Sequence, residues 1–340
     1  MDFRLLRIGI ASAEQARASL ARTARFVAME RLLIAIPTYC REELLADCLR
    51  FVSELQSPTG FELSTLVVDN DSEGSARALC ESLRDDFPHP LRYECEPRKG
   101  EAHARNRALD TAVGTGVAHL LFLDDDVFVP PDFLREMLAR LKAKRADAVA
   151  GNLEFLDADG VRVRESPRRR KRRRTFLSTA QVLMTARLFR DLGLRFDPRF
   201  LRNTDADFFY RARLRGARLF HAPAARALEH DRGRAGAVTA QDAFAAAFDM
   251  SKGKIFIRRL RGGTARAAGY FLARALALAL QLAANALLAP FSRRRRQGVL
   301  RVAGKLAGLA KGLFAHRIDN FEAGEGAPGG CAPPKPRPPA

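Results

Sequence analysis

The stretch HLLFLDDDVFVPPDF (119–133) sets three carboxylates side by side, Asp124, Asp125 and Asp126, at the end of an apolar run. Carboxylates this close raise one another's pKa unless a cation joins them. On an extended segment Asp124 and Asp126 point one way and Asp125 the other. A hard divalent ion, Mg²⁺ or Mn²⁺, held by one or two carboxylates and completed by substrate phosphates, is the natural partner. Two plainer readings stay open on these residues alone. Pro130, Pro131 and Asp132 open a helix, and acids favour its N-terminal dipole. An Asp cluster after a strand also suits a phosphoacceptor site, although that chemistry needs a lysine on a later strand that has no evident place here. Two further acidic clusters, VVDND (67–71) and NTDAD (203–207), complete the set.

Such acids act together only if the chain brings them to one edge. LLIAIP (32–37), LSTLVVDN (63–70), AHLLFLD (118–124) and ADAVAGNLEFL (146–156) read as strands. REELLADCLRFVSELQ (41–56) reads as an amphipathic helix, with Leu44, Leu45, Cys48, Leu49, Val52 and Leu55 at helical spacing. SARALCESLRDDF (75–87), HARNRALDTAV (103–113) and PDFLREMLARLKA (131–143) read as further helices. This alternation predicts an α/β fold with a parallel, doubly wound sheet. Ligands of such sheets gather beyond the carboxyl ends of the strands, where the acidic clusters fall.

The 340 residues suffice for one large domain and an appendage. A net charge of +19 asks for an anionic partner: nucleic acid, a phospholipid surface or phosphorylated substrates. Five cysteines without a CxxC pair, and six scattered histidines, fit a reducing compartment better than a disulfide framework and argue against a His–Cys metal site. Residues 1–30 read as an extension, a short amphipathic helix or a start-site artefact, because MERLLIAIPTY from Met29 looks like a natural beginning. They lack the uninterrupted apolar core of a cleaved signal peptide. A run of seven basic residues (168–174) reads as a solvated loop. Residues 241–320 read as a helical region of mixed basic and apolar character, and 321–340 as a disordered Gly/Pro tail.

Five segments, LLIAIPTYCREELLADCL, LVVDNDS, GEAHARNRALDTA, LLFLDDDVFVPPDFL and NTDADFFYRARLRGARL, follow one another across about 60% of the chain, residues 31 to 235. Together they resemble the nucleotide-sugar domain of family 2 glycosyltransferases, inverting enzymes of the GT-A fold. The resemblance implies a GT-A type domain over 31–240: a doubly wound, mixed but mainly parallel sheet flanked by helices, followed by a helical membrane-associating appendage. It implies that Pro37, Thr38 and Tyr39 contact the nucleotide, that Asp69 and Asn70 lie at the uracil ring, and that Gly100, Arg105 and Asn106 face the diphosphate. Asp126 would ligate the metal, with Asp124 and Asp125 on the ribose and the metal's water shell and Asp124 in reach of the ion. His230 matches a position near the metal or diphosphate. Asp205 matches the catalytic base, which takes the acceptor hydroxyl proton. This chain departs from the family pattern at Asn70, Asn203 and Thr204, and the acceptor contact of the family's glutamate does not transfer to Thr204.

The implied partners are a nucleotide-sugar donor, a UDP-sugar first, and a lipid-linked or glycan acceptor. The bacterial exopolysaccharide branch is the nearest match. The apolar segment 267–291, interrupted by Arg274, Gln281 and Asn285, is expected to lie in a membrane interface rather than to span it, with Arg293–Arg296 on anionic lipid heads. The location is then the cytoplasmic face of the inner membrane, peripheral or shallowly inserted. Nucleic acid is not expected, because the basic runs are not interleaved with aromatics. A nucleic-acid-binding protein and a sugar nucleotidyltransferase are the rival readings; the second normally carries a Gly-rich phosphate loop after its first strand, and IPTYCREE is not one.

Overall fold

The first strand, β1 (Glu30–Thr38), has five successive apolar residues, Leu32 to Ile36, buried on both faces, as a central strand of a parallel sheet requires. It pairs in parallel with β2 (Phe61–Asp69) on one side and β4 (His119–Leu123) on the other, and β2 pairs in parallel with β3 (Leu91–Cys95). The crossovers are α1 (Glu42–Ser53), α2 (Arg77–Leu83) and α3 (Glu101–Gly114). The structure, a computed structural model, describes residues 29–156, 162–163, 177–200, 203–230 and 263–288, with isolated positions between 299 and 310. The expected features at 1–28, 168–174, 293–296 and 321–340 lie outside the described residues.

Past β4 the sheet becomes mixed. The remaining elements are β5 (Val127–Phe128), α4 (Phe133–Lys144), β6 (Ala148–Leu156), β7 (Arg162–Val163), β8 (Gln181–Thr185), α5 (Thr204–Leu214) and β9 (Leu219–His230). The strand order is β3-β2-β1-β4-β8-β6-β9-β5, with β7 on β6. β8 runs antiparallel to both β4 and β6, and β9 is parallel to β6, so six strands share one direction and β5, β7 and β8 oppose them. The expected mixed, mainly parallel sheet is therefore present.

Alternation along β1 builds a core on each face of the sheet. Leu32, Ile34 and Ile36 pack with Leu45, Cys48, Leu49 and Val52 of α1 and with Met137 and Leu141 of α4. Leu33 and Ala35 pack with Ala108 and Leu109 of α3 and with Phe208 and Ala212 of α5. The sheet thus lies between two helical layers, with α1 and α4 on one side and α3 and α5 on the other. All six apolar positions expected to face inward on the first helix are buried.

Two differences from the expected elements have physical causes. The second helix is shorter than the pattern suggests, Arg77–Leu83. Among the described residues β3 is an outer strand pairing only with β2, and of its residues only Leu91 is buried, so it carries no apolar run. Cys48, Cys80 and Cys95 are free thiols, and Cys40 is disulfide-bonded.

A further helix, α6, spans Thr264–Leu288. Leu278 packs with Val302, Tyr270, Phe271 and Leu306, while Leu272, Leu276 and Leu280 are exposed at 66–68%. Among the described residues no helix is long and apolar enough to cross a membrane.

Candidate active site

Because β1 and β4 are neighbours running the same way, their carboxyl ends set Pro37–Thr38–Tyr39 beside the three acids. Thr38 is buried and its hydroxyl donates to Asp125 Oδ2 at 2.7 Å. The acids do not continue the strand. The Val127 amide donates to the Asp124 carbonyl at 3.1 Å and closes a tight turn, so the strand-like alternation expected for them does not apply. Instead Asp125 and Asp126 share one guanidinium: Arg41 Nη1 lies 3.1 Å from Asp125 Oδ1 and 3.3 Å from Asp126 Oδ2. Asp124 turns to the other side and accepts from Arg105 Nη2 at 3.1 Å. Two arginines from distant segments therefore offset the repulsion that the sequence leaves unanswered.

Burial pushes the Asp124 acid up to about 6, opposed by Arg105 and reinforced by Glu101, Asp126 and Asp125; the 34% of its side chain that stays open to solvent works against that shift. Burial also raises Asp125, against the pull of Arg41 and the Thr38 hydroxyl.

Arg105 is the centre of the arrangement. Its side chain is 3% exposed, pairs with Glu101 one turn earlier on α3, and donates through Nη1 to Thr204 Oγ1 at 3.2 Å. The guanidinium lies 5.7 Å from the centre of the Phe196 ring, and its Nε has no hydrogen-bond partner. It joins the acid turn after β4 to the first residue of α5. Asp205 is the next residue of that helix, partly exposed, with its Oδ1 accepting its neighbour Ala206's amide at 2.7 Å. Burial raises the Asp205 acid, and Arg105 and the Ala206 amide oppose the rise. Asn106, expected to face the diphosphate, instead straps the segment before α5: it donates to the Phe196 carbonyl at 2.8 Å and accepts the Phe196 amide at 2.7 Å. Asp207 is fully buried against Arg211 at 2.7 Å, a helix-stabilising pair.

Asp69, Asn70 and Gly100 form a second group beside the first, linked to it by the Asn70 amide, which donates to the Thr38 carbonyl at 2.9 Å. Asp69 is wholly buried. It accepts the amides of Asp71 (3.0 Å) and Ala76 (2.8 Å) and the Tyr93 hydroxyl (3.1 Å). Asn70 donates to the carbonyls of Glu96 and Arg98 and accepts the Gly100 amide at 2.8 Å. Both side chains shape the loops after β2 and β3. Gly100, with φ of 132°, opens α3 in a conformation that side chains disfavour. Lys99 Nζ stands 5.3 Å from the centre of the Tyr39 ring.

Among the described residues no three His, Cys, Asp or Glu side chains close around a metal ion. That donor set still fits Mg²⁺ or Mn²⁺, which take one or two carboxylates and fill the rest of their shell with phosphate oxygens and water. The Arg41 contact shows that Asp125 and Asp126 already accept a cation between them. Val127 pairs with Glu229, the residue before His230 at the end of β9; the His230 side chain lies outside the described residues. Arg41, Glu101 and the anchoring role of Thr204 went unnoticed in the sequence. The available signal for Arg41 was its place just past the end of β1, the strand next to the one that carries the acids.

Residues 33–210 match the model of glycosyl transferase family 2, more than half of the chain. Two proteins of Rhizobium meliloti are similar in part: the succinoglycan biosynthesis protein ExoM, 40% identical over 118 residues, and ExoO, 30% identical over 115. Those alignments cover 35% and 34% of this chain and only 37% and 32% of the relatives' own length. Among solved structures, a mannosyltransferase of Pyrobaculum calidifontis in complex with GDP-Man and Mn²⁺ superposes with a TM-score of 0.57 at 19% identity, covering 86% of this chain and 89% of that one. S. aureus TarS 1–349 in complex with UDP-GlcNAc gives 0.50 at 17% identity, covering 84% and 93%. These two likenesses speak to the fold. The family match over residues 33–210 favours that family over the nucleotidyltransferase and nucleic-acid-binding readings: the chain belongs to glycosyl transferase family 2.

Proposed function

We propose that the chain is a metal-dependent inverting transferase that moves a sugar from a nucleotide-diphosphate donor, a UDP-sugar first, to a lipid-linked or cell-surface glycan. The observation that carries this reading is the Arg105 bridge, which holds the acid turn after β4 and the Asp205 end of α5 at one site. In this reading Thr38 fixes Asp125 so that it and Asp124 meet the ribose side of the donor. Pro37, Tyr39 and the loop held by Asp69, Asn70 and Gly100 form the nucleotide wall. Asp126, with Asp124 and with His230 from the paired end of β9, would hold a Mg²⁺ or Mn²⁺ ion, whose contribution when bound is to stabilise charge on the departing diphosphate. Asp205 takes the acceptor hydroxyl proton as the new bond forms at the anomeric carbon, and the electron pair of the breaking bond leaves with the diphosphate. Arg105 faces Asp205 as well as Asp124, which favours the ionised carboxylate a base needs.

The partial likeness to succinoglycan biosynthesis proteins supports a polysaccharide acceptor. The exposed leucines of α6 and the basic run that follows it in sequence support a peripheral seat on the cytoplasmic face of the inner membrane. The test is a donor screen with purified protein and Mn²⁺, covering UDP- and GDP-sugars and scored by hydrolysis or transfer. Asp205→Asn is expected to abolish turnover while keeping donor affinity within about threefold. Full turnover in that variant would remove Asp205 from the role of base.

A further inference from the structure

Arg41 binds the carboxylates of the acid turn, and the family roles above leave it without a task. It precedes α1, its side chain is 48% exposed, and among the described residues its only side-chain hydrogen bonds go to Asp125 and Asp126. The two carboxylates are held differently. Asp125 is 6% exposed and anchored through its other oxygen to Thr38. Asp126 is 23% exposed, and Arg41 is its only hydrogen-bond partner among the described residues. The guanidinium therefore covers one of the two oxygens that Asp126 offers a divalent ion.

We propose that Arg41 is a built-in competitor of the divalent cation, and that this competition makes metal and donor bind together rather than one at a time. The proposal rests on the assignment of Asp126 as metal ligand. A bare divalent ion at Asp126 competes with the guanidinium for the carboxylate and lies beside a positive charge, so it binds weakly. A metal accompanied by a diphosphate brings a new anion for the displaced guanidinium, whose planar fork suits phosphate oxygens. Arg41 can make that move without disturbing the core, because its head is half exposed and its chain is long. By thermodynamic reciprocity, whatever metal gains from nucleotide, nucleotide gains from metal.

The experiment is a Mn²⁺ titration of the full chain followed by the electron paramagnetic resonance signal of free Mn²⁺, with and without UDP. Wild type, Arg41→Gln, Asp126→Asn and the double variant are compared, with Arg41→Met as a second neutral replacement and thermal melting as the check on folding. Wild type is expected to bind Mn²⁺ weakly alone and tightly with UDP. R41Q is expected to bind Mn²⁺ alone on the order of three- to tenfold more tightly, the worth of a half-exposed ion pair to two carboxylates, and the enhancement by UDP should shrink by at least that factor. In the D126N background R41Q should change nothing. Unchanged or weaker Mn²⁺ binding by folded R41Q and R41M overturns the proposal while leaving the metal site standing. Absence of Mn²⁺ binding in every protein even with UDP, together with a UDP affinity indifferent to Mn²⁺, overturns the metal assignment and this proposal with it.

Discussion

Replacing Arg105 by methionine keeps most of the side chain's length and removes its charge and fork. In the native protein that fork holds Asp124 at 3.1 Å and Thr204 at 3.2 Å and pairs with Glu101, all from a side chain only 3% exposed. Removing one partner of a buried ion pair costs about 3–5 kcal/mol, because the remaining charge is left uncompensated. Here Glu101 and Asp124 keep 46% and 34% of their side chains open to water, so part of that loss is recovered by hydration. A figure below that range, about 2–3 kcal/mol, is the one to expect. For a domain of this size that is roughly 4–12 °C in Tm. Calorimetry or urea unfolding of Arg105→Met, Arg105→Lys and the Arg105→Met/Asp124→Asn pair measures it. Lysine should recover part of the loss and no more, since it keeps the charge without the fork. Asp124→Asn in the methionine background should also recover part of it, because it removes the stranded charge; that non-additivity is the signature of coupling. A Tm within about 1 °C of wild type for Arg105→Met, or strict additivity in the double variant, would refute the claim that Arg105 compensates these acids.

Three further outcomes follow from the same geometry. Thr38→Val removes the hydroxyl from buried Asp125 and should destabilise by about 1.5–3 kcal/mol, read as a drop in the urea midpoint; no change would mean that Arg41 alone suffices. Asp124 holds its proton up to about 6 in the folded chain against 3.8 as its ordinary value. Between those values the native state binds more protons than the unfolded one, so this group makes stability fall as pH rises from about 4 to about 6, and Asp124→Asn should flatten that part of the curve. Donor affinity should rise from about pH 5 to about 7 as the folded carboxylate ionises, and a flat binding profile over that range would count against its place at the donor. Exchanging Leu272, Leu276 and Leu280 for serine should reduce binding to vesicles containing phosphatidylglycerol by at least about tenfold, since three apolar side chains lose their place in the interface; unchanged co-sedimentation would leave that face without a membrane role.

The strands buried on both faces were legible because each is an apolar run bounded by polar residues, and the first helix because its six inward residues keep helical spacing. β3 was not, since an outer strand with Arg92 and Glu94 carries no such run. Nor was the antiparallel course of β8 in the midst of parallel neighbours, because an apolar strand reads alike in either direction. The candidate site divides in the same way. Residue types and order pointed to Asp124, Asp125, Asp126 and the cluster at 203–207, in which the family resemblance singled out Asp205. The partners that decide their charge, Arg41 and Arg105, became evident only once β1, α3, β4 and α5 were placed together. The direction of the acid side chains was misjudged because a turn, closed by the Val127 amide, replaces the extended backbone that alternation assumes.

The contacts of this site join residues far apart in the chain. Thr38 and Asp125 are 87 residues apart, Arg41 and Asp125 84, and Arg105 and Thr204 99. Closing such loops carries its entropic cost before any contact rewards it. The ion pairs therefore form after the sheet has joined β1 to β4 and α5 has docked, on the far side of the folding barrier. Their loss should leave the refolding rate nearly untouched and appear almost wholly as faster unfolding. The arginines that pair with these acids should then also set how long a folded molecule lasts.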